Sequence, residues 1–200
     1  MPAVVRYFMS PVSPWTYLGH DRFVDVARRH GATIELRPID LGRVFPVSGG
    51  VPLAKRAPQR QAYRLRELPR WRDHLGVPLV VQPKHFPVPA DDAARLIVAA
   101  DLAAGTDAAL RLAGALLRAC WAEERDVSDA ATLAAIAGAC GLDAASLAAR
   151  ADEARAAFDA YTEEATATGV FGAPWYQVGD EPFWGQDRLD FVERALARAR

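Results

Sequence analysis

The sequence predicts an α/β protein in which a strand–helix–strand unit and a strand–strand–helix unit flank a long all-helical insertion. Three observations carry this. Runs of β-branched and aromatic residues gather near the two ends of the chain, in "AVVRYFM", "TIELRPIDL", "APWYQV" and "PFWG". The stretch between Gly49 and Gly169 is rich in alanine and reads as successive helical patterns. Capping residues and glycines punctuate those patterns at nearly every boundary.

The first strand covers residues 3–9 and is apolar enough to be buried. Ser13 then offers an N-cap and Pro14 suits the first helical turn, while Arg28, Arg29, His30 and Gly31 close the helix. "TIELRPIDL", residues 33–41, is the second strand, and the three elements form a right-handed βαβ unit with parallel strands. "PVSGGVPLAKRAP" follows as a loop. Helical patterns come next: "QRQAYRLRELPRWRDHLG" with Pro69 as a kink or break, "DDAARLIVAADLAAG", "DAALRLAGALLRACWAEER", "DAATLAAIAGACG" and "DAASLAARADEARAAFDAYTEEATATG". "APWYQV", the turn "GDE" and "PFWG" make a hairpin, and "QDRLDFVERALARAR" is a closing amphipathic helix. This is the plan of a thioredoxin-like fold (βαβ…ββα), with residues 1–48 and 170–200 as the thioredoxin-like domain and 49–169 as a helical insertion domain.

Composition narrows the function. Apolar residues make up 51% of the chain, charged residues 24%, and the net charge is −1, which gives no bias toward nucleic acid or acidic partners. No apolar run approaches the ~20 residues needed to cross a bilayer, and "AVVRYF" without a basic or long apolar lead gives no expectation of a secretory signal. Cys120 and Cys140 lie in separate helical patterns without C-x-x-C or metal-ligand spacing. They are expected to be buried and reduced, no metal site is expected, and the reducing cytoplasm is the expected compartment.

The chemistry starts at "SPWT", residues 13–16, which copies the spacing of a C-P-x-C redox motif with both thiols replaced by hydroxyls. Ser13 can be a plain N-cap. It can also donate a hydrogen bond to an external sulfur held at the helix N-terminus, where free N–H groups and partial positive charge favour a thiolate. In "FGAP" the bond before Pro174 is expected to be cis, with Ala173 offering its backbone to a bound peptide as a further strand. Asp187 in "FWGQDR" reads either as a simple helix acid or as the partner of a ligand ammonium.

"SPWTYLG", "PIDLGRV", "YRLRELPRWRDHLGVPL", "GVFGAP" and "FWGQDRLDFVE" together resemble the glutathione-dependent 2-hydroxychromene-2-carboxylate isomerases, relatives of kappa-class glutathione transferases. The match spans nearly the whole chain in order. It implies glutathione as cofactor, with Ser13 as its activator and Ala173, Pro174, Trp184, Gly185, Gln186 and Asp187 holding the tripeptide. It implies a small aromatic carboxylate substrate, no membrane or nucleic-acid partner, and a homodimer as a possible assembly. The implied reaction is cis–trans isomerisation of 2-hydroxychromene-2-carboxylate in the breakdown of naphthalene-like aromatics. The thiolate adds to an unsaturated carbon of the ring-opened substrate, bond rotation follows, and elimination returns the thiol.

This chain departs from the family at several points. An asparagine expected near Lys55 is absent, and an aromatic and an amide beyond "GVPL" stand here as Phe86 and Pro87. A lysine that helps bind the substrate carboxylate is replaced by Phe45, so that role passes to Lys55 or Arg56. His85 and Phe86 in "PKHFP" are expected to line the substrate pocket, unless His85 is a surface loop residue. The alternative functions are a kappa-like transferase or peroxidase acting on another electrophile, and a non-catalytic peptide-binding module.

Overall fold

The computed structural model describes residues 2–199. Four strands, β1 (Val4–Met9), β2 (Thr33–Pro38), β3 (Trp175–Val178) and β4 (Glu181–Trp184), form one sheet in the order β2-β1-β3-β4. β1 and β2 run parallel with Tyr7 opposite Leu36, and α1 (Pro14–Arg29) makes the crossover. β3 runs antiparallel to β1 with Tyr176 opposite Tyr7, and it turns into β4 through Gly179, whose φ of 58° suits a tight hairpin.

β1 lies inside the sheet, and both of its faces are buried. Val5, Tyr7 and Met9 enter the main core, while Phe8 joins Ile39, Val44, Ala165, Val170 and Trp175 on the other face. In the main core Tyr7 stacks on Tyr176 at 5.3 Å, and Phe23 of α1 touches both rings at 4.6 Å. Burial pushes both tyrosine hydroxyls above their ordinary pKa. Tyr7 meets His20 Nδ1 at 3.2 Å, and His20 Nε2 reaches the Leu110 carbonyl at 3.0 Å. Burial lowers the pKa of His20, so the imidazole is neutral at pH 7: Nε2–H donates to Leu110 and Nδ1 accepts from Tyr7.

The helical stretch begins earlier than the sequence predicts. The second strand was expected to run to residue 41, but it ends at Pro38. Asp40 then caps α2 (Leu41–Ser48) by accepting from the Gly42 N–H at 2.7 Å. The loop expected here hides this helix because Pro46 lies within it. Next come α3 (Pro58–Leu75), α4 (Asp91–Ala104), α5 (Thr106–Trp121) and α6 (Ala130–Ala139). α3 runs without a break through Pro69. The pattern over 143–169 is two helices, α7 (Ala144–Ala148) and α8 (Ala151–Ala167). Asp143 caps the first, and Asp152 and Glu153 supply the second with its own acidic first turn.

α8 is tied to the sheet by charge. Arg37 on β2 bonds Glu35 at 3.0 Å and Glu164 at 3.2 Å while lying 4.4 Å from the centre of the Tyr161 ring. The closing pattern is also divided, into a 3-10 turn (Gln186–Arg188) and α9 (Leu189–Arg198). Among the described residues no helix is long and apolar enough to cross a membrane. Both cysteines are free; Cys120 is buried, but Cys140, expected to be buried as well, is only partly so.

Candidate active site

The crossover places Ser13 where the end of β1 meets the start of α1. Its backbone is extended (φ −80°, ψ 124°), its Oγ accepts from the Thr16 N–H at 3.2 Å, and Pro14 occupies the first turn. Ser13 is therefore an N-cap, as either reading required. Its proton is another matter. The Ser13 O–H points to the Ala173 carbonyl at 3.4 Å, beyond the usual range for O–H···O, so it is weakly committed and free to turn toward an anion. The first turn of α1 carries no acidic side chain, so its positive pole is uncompensated. Thr16 takes the place of the second cysteine of a redox motif, with its Oγ1 buried and unbonded among the described residues.

The Ala173–Pro174 bond is cis, as the sequence predicts, and sets Ala173 beside Ser13. Gly172 gives close approach next to it: a Cβ there would lie 2.7 Å from the Trp184 indole nitrogen. A second cis bond, Phe86–Pro87, carried no expectation.

These elements border one cavity of about 920 Å³. It brings together Ser13, Phe45, Lys55, Arg56, Phe86, Ala173, Trp184, Gly185, Gln186 and Asp187. Pro174 stands behind Ala173 and is not on the wall. Gln186 reaches the wall, but its side chain is turned away: Oε1 accepts from Arg22 Nη1 at 2.9 Å. Gly185 adopts φ 106°, a conformation that favours glycine, and Asp187 sits 3.4 Å from Arg188 in the short turn before α9.

His85 is a correction. It does not line the cavity and lies 3.7 Å from Asp126 on the other side of the loop, whereas its neighbour Phe86 faces inward and packs on Trp121 at 4.6 Å. Lys84 and His85 are the central residues of a turn closed by the Phe86 N–H on the Pro83 carbonyl at 3.1 Å, so sequence adjacency gave His85 no claim on the site.

Sequence reasoning missed the other wall. Arg60, Tyr63, Arg64, Glu67 and Trp71 of α3 line the cavity beside Lys55 and Arg56. Residues 60, 64, 67 and 71 recur at intervals of three and four, so a face-by-face reading of α3 would have found this stripe. Burial, and then the charge of Arg60, lower the pKa of Arg56. Burial, and then Arg56, bring Arg64 down to about 10, which leaves it cationic at pH 7. Glu67 is bonded by Arg70 at 2.6 Å. The cavity thus has a polar, backbone-rich wall around Ser13, a cationic wall on α3, and aromatic corners at Trp15, Trp71 and Phe86. Its volume suits a peptide-sized ligand and a small aromatic acid together.

Comparisons with known proteins identify the family and the fold. The model of the DSBA-like thioredoxin domain family matches residues 4–197. A 2-hydroxychromene-2-carboxylate isomerase of Sphingobium xenophagum is 32% identical over 199 residues, covering 98% of this chain and 99% of that protein. One from Pseudomonas putida is 29% identical, covering 98% and 95%. A solved structure of a 2-hydroxychromene-2-carboxylate isomerase superposes with a TM-score of 0.80 at 27% identity, covering 98% of this chain and 95% of that one.

Proposed function

The chain belongs to the DSBA-like thioredoxin domain family and, within it, to the 2-hydroxychromene-2-carboxylate isomerases, and from that premise we propose that it uses glutathione to isomerise 2-hydroxychromene-2-carboxylate to trans-o-hydroxybenzylidenepyruvate. The observation that carries the reading is Ser13, a weakly committed hydroxyl at an unshielded helix N-terminus, facing a cavity whose far wall is cationic. A thiol enzyme acting by disulfide exchange needs cysteines here; Ser13 and Thr16 cannot exchange. They suit an activator of someone else's sulfur.

The residues present fit a glutathione cradle. Ser13 would donate its hydroxyl proton to the sulfur, and the positive pole of α1 would favour the anionic form, since Pro14 has no N–H and the Thr16 N–H is already held by Ser13 Oγ at 3.2 Å. The backbone of Ala173 is offered to the peptide as a further strand, Gly185 allows close approach, and Asp187 receives the γ-glutamyl ammonium. Trp184, half exposed at the cavity rim, would cover the peptide. Bound there, glutathione would supply the nucleophilic thiol that a reversible addition at the substrate's double bond requires. The cationic wall of α3 orients the substrate carboxylate, with Phe45 and Phe86 giving apolar contact to the ring. Holding substrate and sulfur together in one cavity removes much of the entropic barrier to their meeting. A glutathione requirement places the enzyme in the reducing cytoplasm, acting on an intermediate of naphthalene-like breakdown.

The test is an assay of the purified protein on 2-hydroxychromene-2-carboxylate, following product absorbance and free thiol together. Turnover is expected only with glutathione present, and the thiol titre is expected to stay constant. Loss of one thiol per substrate consumed overturns the reading in favour of a transferase.

A further inference from the structure

The four cations on the α3 side of the cavity are not equivalent. Lys55 and Arg60 are exposed, and Arg56 commits its Nε–H to the Val51 carbonyl at 2.7 Å. Arg64 differs from all three. Its Nη2 is sealed from solvent and has no hydrogen-bond partner among the described residues. Its guanidinium carbon lies 5.3 Å from the centre of the Phe86 ring and 5.5 Å from that of Trp121. The carboxylates that share the cavity are engaged elsewhere, Glu67 by Arg70 at 2.6 Å and Asp187 by Arg188 at 3.4 Å. A half-buried guanidinium with an open donor is costly unless an anion completes it.

We propose that Arg64 receives the carboxylate of the aromatic substrate, its guanidinium turning toward the cavity it lines so that the fork pairs with the two carboxylate oxygens, and Phe86 supplying the apolar contact to the ring. This rests on the reading of the cavity given above. The planar fork matches a carboxylate in two parallel bonds, which neither Lys55 nor a partly committed Arg56 provides as well. The aromatic rings that already flank the guanidinium make this the corner where an aryl acid is recognised by both of its parts. The glycyl carboxylate of glutathione has the same chemistry, and the experiment separates the two.

Binding of coumarin-3-carboxylate and of neutral coumarin is measured by fluorescence, and binding of glutathione by calorimetry, for the wild type, Arg64→Met and Arg64→Lys. The wild type is expected to prefer the acid by roughly tenfold or more, the range of a hydrogen-bonded charged pair. Arg64→Met should lose that preference, Arg64→Lys should keep part of it, and neither should alter the glutathione constant. The melting temperature of Arg64→Met should not fall, since the change removes an uncompensated buried charge; a purely structural arginine would give the reverse. An acid preference that survives Arg64→Met overturns the proposal, as does weakened glutathione binding in that variant. If Arg64→Met does not fold, Arg64→Lys decides alone, and an undiminished acid preference there overturns the proposal. A wild type inactive on the chromene carboxylate whose acid preference still vanishes with Arg64→Met removes the isomerase reading and leaves the assignment of Arg64 standing.

Discussion

The cavity has two walls built on different principles. Around Ser13 the wall is neutral in net charge and local: a capped helix start, a proline-fixed backbone at Ala173, a glycine at 185 and one acid paired with Arg188. On α3 it is cationic and distributed, with Arg60 and Arg64 a turn apart and Lys55 and Arg56 on the approach to the helix. The first wall suits a constant ligand, recognised through backbone groups that any sequence supplies in that conformation. The second suits a ligand recognised by charge and aromatic contact, which side-chain substitution can retune. Perturbing one wall should therefore change thiol activation or cofactor affinity, and perturbing the other should change the choice of acid.

The largest expected effect is at Ser13. If Ser13 activates the thiol as proposed, Ser13→Ala removes that donor while leaving the helix positive pole in place, and turnover should fall by ~10²-fold, as on losing a preorganised donor. Glutathione binding should change little. Unchanged turnover at saturating glutathione would falsify the division, because the neutral wall would then hold the cofactor without activating it. Ser13→Ala also loses the cap to Thr16, at about 1 kcal/mol of stability, so the comparison is made well below the melting transition.

The same contrast explains what the sequence disclosed. Ser13, Pro14 and Gly31 bracket α1 by local rules, and the β-branched and aromatic strands imply the sheet, so the fold and the neutral wall could be read from neighbours along the chain. α2 was hidden because Pro46 reads as loop, although Asp40 two residues before Gly42 is a capping signal in its own right. The cationic wall was hidden for another reason. Arg60 and Arg64 are ordinary solvated charges in a helical pattern until one asks which face of α3 meets α1 and the loop holding Phe86. That is tertiary information.

A smaller effect is expected at Asp187. As the partner of the γ-glutamyl ammonium it belongs to the neutral wall, so Asp187→Asn should weaken glutathione without altering the rate at saturation. Its side chain is 39% exposed and lies 3.4 Å from Arg188, so the loss should be about 1 kcal/mol, the low end for a charged hydrogen bond. Titration of the folded variant with glutathione measures this, and an unaltered constant makes Asp187 a helix acid only.

Cys120 and Cys140 test whether any sulfur of the chain itself participates. Burial pushes the Cys120 thiol up to about 12, and burial also raises Cys140, so both are protonated and poorly nucleophilic at neutral pH. A double alanine variant should keep full turnover and lose about 1 kcal/mol of stability, nearly all of it at the buried Cys120. Alkylation at pH 8 should label Cys120 only on unfolding. A folded double variant without activity would contradict the assignment of all thiol chemistry to the cofactor.

The smallest effect is expected at His85, and it is informative because of its neighbour. Both residues sit in "PKHFP", and Phe86 packs on Trp121 within the cavity while His85 turns to Asp126 at 3.7 Å. The Asp126 carboxyl is held below its ordinary pKa first by the Ser128 side chain and backbone and only in a minor way by His85, so it does not depend on the imidazole for its charge. His85→Ala should then leave turnover, glutathione affinity and acid preference unchanged, and cost no more than a few tenths of a kcal/mol, as for an exposed ion pair. Phe86→Ala should raise the KM for the aromatic acid, because it removes the ring that faces Arg64 at 5.3 Å. A His85→Ala variant that loses acid preference would place the imidazole on the cationic wall after all, and the boundary drawn there at Phe86 would have to move.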